Sequence, residues 1–198
     1  MVSARTARRR AIPLAVLLTA AAANSASADA ADDRRALVML RVLAYDTHLA
    51  DRVGDEVRFV VVYGDGEDGA AEARRWTTAF GNVRKIKVAG HTVVVTAVKF
   101  ESPAALTRTL SGLRAAALLS CDGLGKSIAA PALASITRAR RVLSFATREG
   151  DVVKGLAVGI VRGDDRDEIV VNLTAIAAEG VKFDAGLLQL ARSVKEAR

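Results

Sequence analysis

The residue types that could do chemistry in this chain gather in short glycine-containing loops. Tyr63 to Ala70 reads YGDGEDGA, with Gly64, Gly66 and Gly69 in the G-x-G-x-x-G spacing. The loop follows the β-branched run EVRFVVVY and precedes AAEARRWTTAF, whose apolar residues recur at helical spacing. Such a loop serves a dinucleotide by bringing bare amides and the positive end of a helix to a pyrophosphate. Here Asp65, Glu67 and Asp68 put three carboxylates around that position, and Asn82 to Phe100 holds no acid for a ribose hydroxyl. The stretch is therefore read as a polar strand-to-helix turn, and no cofactor is expected. A second loop, SCDGLGKS from Ser120 to Ser127, ends like a phosphate loop in Gly125, Lys126 and Ser127, but Ser120 stands where its opening glycine belongs.

Other reactive types are sparse. His48 and His91 have no second ligand three or four residues away, whereas zinc needs three or four in all. No G-x-S-x-G elbow presents a serine nucleophile. The acidic segments GDGEDGA and RGDDRDE miss the calcium-loop spacing and read as solvated turns. Cys121 is the only cysteine, so no internal disulfide forms, and it reads as a small buried residue at a strand end. The expectation is a protein without a catalytic or metal set.

The ends and the composition narrow the setting. MVSARTARRR is basic, AIPLAVLLTAAAA is apolar, and NSASADA is small, which is the tripartite pattern of a secretory signal peptide over residues 1–28. Cleavage near Ala28 would make the remaining chain periplasmic or secreted. The formal charge of +7 falls to about +3 once the four arginines of the first ten residues are removed, and aromatics are only 4% of the chain. A nucleic-acid partner is not expected from that charge or from so few stacking platforms.

The remaining residues, 29–198, are enough for one domain with a real core. Leu37, Leu40, Val42, Leu43 and Leu49 predict one long amphipathic first helix, with Asp residues at its start and Gly54 beyond its end. EVRFVVVY reads as a strand, and Ala73, Trp76, Phe80 and Val83 share one face of the next helix. HTVVVTAVKF reads as a strand and Ser102-Pro103 as a helix entry. AAALLSC, IAAPALASITRA and RRVLSFAT continue as strand, helix and strand. VVKGLAVGIV and EIVVNL then flank RGDDRD as an antiparallel hairpin. A closing helix carries Leu187, Leu188, Leu190, Ala191 and Val194 as its apolar stripe, with Asp184 as cap. The fold class is α/β: a mostly parallel sheet with helices on both faces, a Rossmann-like layered sandwich, ending in the hairpin and a terminal helix. In such sheets ligands collect at the carboxyl ends of the strands. The candidate ligand or partner loops are therefore Tyr63, Gly64, Asp65 and Gly66; Cys121, Asp122, Gly123 and Gly125; and Thr147, Arg148 and Glu149.

The final 40 or so residues add a resemblance. GLAVGIV, then a strand ending in Asn172-Leu173, an alanine-rich helix, Gly180 at a turn and Leu187, Leu188, Leu190, Ala191 and Arg192 resemble the close of the YfiR-like periplasmic proteins. LRVLAYDTHL is similar to that family's opening helix. The resemblance implies an exported, non-enzymatic regulator that holds a membrane-bound signalling protein, such as a diguanylate cyclase, inactive from the periplasmic side. Its partner would be the periplasmic domain of an inner-membrane protein, with a homodimer or a small-molecule ligand also open. The alternative reading is a solute-binding protein serving a transporter or sensor, although the chain offers one sheet and no second lobe.

Overall fold

The computed structural model describes residues 17–163 and 166–197, with side chains from residue 30 onward. The basic head and the first six residues of the apolar stretch of the expected signal peptide lie outside the described residues, as do the two residues at the tip of the expected hairpin. No helix among the described residues is long and apolar enough to cross a membrane.

Strands and helices alternate as β-branched runs and 3.6-residue periodicity require. The helices are α1 (Leu17–Ala44), α2 (Leu49–Arg52), α3 (Glu67–Asn82), α4 (Pro103–Leu113), α5 (Ala130–Arg140), α6 (Glu149–Val153), α7 (Leu173–Ala178) and α8 (Ala185–Leu190). The strands are β1 (Glu56–Tyr63), β2 (Thr92–Lys99), β3 (Ala117–Ser120), β4 (Leu143–Ala146), β5 (Val158–Arg162), β6 (Asp167–Val171) and β7 (Arg192–Ser193). They form one sheet in the order β2-β1-β3-β4-β5-β6-β7. All neighbours are parallel except β5 and β6, the expected antiparallel hairpin.

Because successive strand residues face opposite sides, β1 feeds two cores. Val57, Phe59 and Val61 pack with Met39 and Leu43 of α1, Trp76 and Phe80 of α3, and Phe145. Val60 and Val62 pack on the other side with Leu106 and Leu110 of α4, Leu133 of α5 and Val152 of α6. Phe59 lies 4.6 Å from Phe80 and 5.6 Å from Phe145 between ring centroids, and each such side chain contributes about 1.5–3 kcal/mol by burial. Trp76 and Phe80 are thus core residues, as their spacing indicates. Ser102 caps α4, its hydroxyl accepting from the Ala105 amide at 3.2 Å, and Pro131 lies in the first turn of α5.

Three sequence expectations give way to tertiary contacts. The first helix does not run on to Leu49. It stops at Ala44, because the buried Asp46 carboxylate takes the amides of His48 at 3.0 Å and Lys182 at 3.1 Å and pairs with Arg52. Thr47 N donates to Lys182 O at 2.8 Å, so the turn is stitched to the segment before α8. Val152 and Val153 belong to α6, and β5 starts later, at Val158. The closing helix ends at Leu190, since Val194 N donates to Val171 O at 2.8 Å and draws Arg192–Ser193 onto β6 as β7. Only Leu187 of the expected leucine stripe is buried; Leu188 and Leu190 are 41% and 68% exposed.

Candidate functional site

β1 lies between β2 and β3, so the path of the chain across the sheet reverses there and the carboxyl ends of β1 and β3 flank the fold's natural crevice. That crevice is filled by the protein itself. Glu72 of α3 reaches into it, its Oε1 accepting from Asp122 N at 2.8 Å and its Oε2 from Gly123 N at 3.3 Å. These are amides that an incoming anion would use. A Cβ on Gly64 would meet Ser127 Oγ at 2.8 Å and Gly123 O at 3.2 Å, and one on Gly69 would meet Gly64 O at 2.6 Å. Gly66 precedes α3 with φ +93°. Each glycine of the fingerprint therefore has a packing or backbone reason. The phosphate-loop lookalike is likewise a 3₁₀ turn, Asp122–Lys126, and the next helix opens only at Ala130.

The candidate residues separate into three groups. Tyr63 is half-buried at the end of β1, its carbonyl accepting from Phe100 N at 2.8 Å. Asp65 turns outward to Lys99 at 2.8 Å, and that hydrogen bond raises the lysine's pKa. Cys121 is 1% exposed, and burial above all, then the carboxylates of Glu72 and Asp122, pushes its thiol far above the usual range.

The second group does converge. Thr147 Oγ1 donates to Asp122 Oδ1, and Arg148 Nε lies 3.6 Å from the same oxygen. Arg148 also pairs with Asp151 at 3.0 Å, and a Cβ on Gly125 would lie 3.5 Å from the Arg148 guanidinium. Asp122, Gly125, Arg148 and Asp151 form one wall of an open cleft of about 800 Å³ that Lys126, Pro131, Lys154 and Glu196 complete. Glu149 faces elsewhere, bound by both Arg192 guanidinium nitrogens at 2.9 and 2.8 Å, which holds its carboxyl below the usual range. Sequence reasoning missed Glu72, Lys154 and Glu196, whose positions depend on how α3, α6 and the chain's end pack. The cleft carries both signs of charge, with Arg148 bridging two acids. That arrangement suits a charged ligand or a partner's polar loop.

A family model described as YfiR/HmsC-like matches residues 34–192. No curated protein matches the chain. Among solved structures, a conserved domain protein from Vibrio cholerae superposes with a TM-score of 0.57 at 13% identity, over 83% of this chain and 60% of that one. The ligand-free, open form of a substrate-binding protein with adhesive properties from Clostridium difficile does so with a TM-score of 0.53 at 16% identity, over 76% of this chain and 58% of that one. The chain thus spans about three fifths of the length of these neighbours, and the likeness is one of α/β fold.

Proposed function

The chain belongs to the YfiR/HmsC-like family, and from that premise we propose that it is an exported regulatory protein without catalytic activity. Residues 1–28 are its signal peptide and 29–198 its working domain in the periplasm. It represses an inner-membrane signalling protein, such as a diguanylate cyclase, by binding one conformation of that protein's periplasmic domain. Binding shifts such an equilibrium only by its differential affinity for the two states.

The observation that carries this reading is the family match, and the Asp122–Arg148–Asp151 cluster on an open, charge-mixed cleft supports it as the contact surface. The test is capture of the tagged protein with a short crosslinker from its native membrane. Recovery of a membrane protein with a cytoplasmic cyclase or kinase domain, reduced by Arg148→Glu, is expected. Recovery of a transporter permease, or of nothing above background, overturns the reading. A second reading, solute binding for a transporter or sensor, draws on the size of the 800 Å³ cleft; it predicts a saturable rise in melting temperature with one member of a small-molecule screen.

A further inference from the structure

At the opposite, amino edge of the sheet, α4 and α5 end side by side, and each ends on an arginine in left-handed backbone, Arg114 at φ 48° and Arg141 at φ 52°. Glycine is the usual residue at such a cap, because a Cβ is crowded there. Arg140 adds a third guanidinium on the last turn of α5, and all three arginines are exposed. Arg52 closes the group from α2. It donates to Arg141 O at 2.8 Å and pairs with the buried Asp46, while its Nε is a buried donor with no acceptor among the described residues.

These four arginines line one open cleft of about 440 Å³, and Asp51 is the single acid on its walls. Among the described residues, Arg114, Arg140 and Arg141 enter no ion pair. One cation at each helix end would answer the negative pole of the helix dipole. With Arg52 already paired to Asp46, three unpaired cations against one lining acid still exceed that need, and they repel one another unless an anion lies between them. We propose that this amino-edge cleft binds a phosphate-type oxyanion, gripped by the planar forks of Arg114, Arg140 and Arg141. The oxyanion belongs either to a soluble phosphoester or to the headgroup of an anionic lipid. The site is separate from the carboxyl-edge loops and does not rest on the proposed regulatory role.

The test titrates the purified protein calorimetrically with inorganic pyrophosphate and sediments it with phosphatidylglycerol and with phosphatidylcholine vesicles. Wild-type protein is expected to bind pyrophosphate saturably and more weakly as salt rises. Arg114→Gly removes a cation and relieves a left-handed side chain, so its melting temperature holds or rises while its pyrophosphate affinity falls by about tenfold. Arg140→Gln is expected to weaken binding similarly without unfolding. Arginine-dependent sedimentation with phosphatidylglycerol alone assigns the anion to a lipid surface, and binding of pyrophosphate without sedimentation assigns it to a soluble phosphoester. If neither probe binds, or if the variants bind as the wild type does, the proposal is wrong.

Discussion

Glu179 shows how much a single residue can do without any signature in the sequence. It is fully buried, accepting from Thr137 Oγ1 at 2.6 Å, Ser144 N at 2.8 Å and Ser144 Oγ at 2.7 Å. Burial raises its pKa to about 7, outweighing those hydrogen bonds and the nearby Arg138, which lower it. Unfolded, the group titrates near 4.5, so between 4.5 and 7 the folded chain holds more protons than the unfolded one. Stability from this group is therefore present at low pH and is lost as pH rises through 7. Melting temperatures at stepped pH should fall across that window, and Glu179→Gln should remove the slope; a parallel profile for the variant would place the effect elsewhere. An acid just past the end of an alanine-rich helix gives no sign in sequence that it will be enclosed. Cys121 was legible as a small buried residue, and the loop glycines as a turn. The close contacts separate their roles: Gly69→Ala, whose Cβ meets backbone, should cost about 1–3 kcal/mol in chemical denaturation. Gly64→Ala should cost less, because its nearest contact is the movable Ser127 hydroxyl.

Among the elements, those whose period is set by their own burial were readable, and those decided by a distant strand were not. β1 and α4 lie where the apolar run and the Ser-Pro entry put them, β1 burying most of its length and α4 its Leu106 and Leu110, and the valine-rich β2 is legible too, although as an edge strand it buries only Val93. The last helix reads as one stripe through Val194, yet pairing of Arg192 and Ser193 with Val170 and Val171 ends it early. Helical spacing cannot report that competition, because the β6 edge is brought in by the fold. The same applies to α1, which the Asp46 cage cuts short. The consequence is measurable in urea. Leu187→Ala should destabilise by about 2–5 kcal/mol, as a buried leucine does, while Leu190→Ala should stay within about 0.5 kcal/mol. Equal losses at the two positions would restore the continuous stripe.

For the whole molecule, the parallel α/β layering followed from the order of strands and helices, but the placing of β1 between β2 and β3 did not, since either side of β1 offers a complete ladder. The two edges of that sheet differ in how their charges are arranged. At the carboxyl edge, acids and bases pair across Asp122, Arg148 and Asp151; at the amino edge, arginines crowd together with little acid between them. β1 spans eight residues, so the edges stand roughly 26 Å apart at the usual rise per residue. That exceeds the distance over which salt leaves exposed charges coupled, and beyond which substitutions cease to interact. Arg148→Glu should therefore weaken capture of the proposed membrane partner and leave pyrophosphate affinity unchanged, with Arg114→Gly doing the reverse. The double variant should lose both by the sum of the single effects in free energy. A shortfall or excess beyond about 0.5 kcal/mol would mean that the sheet transmits occupancy from one edge to the other, and the two surfaces would then have to be treated as one coupled site.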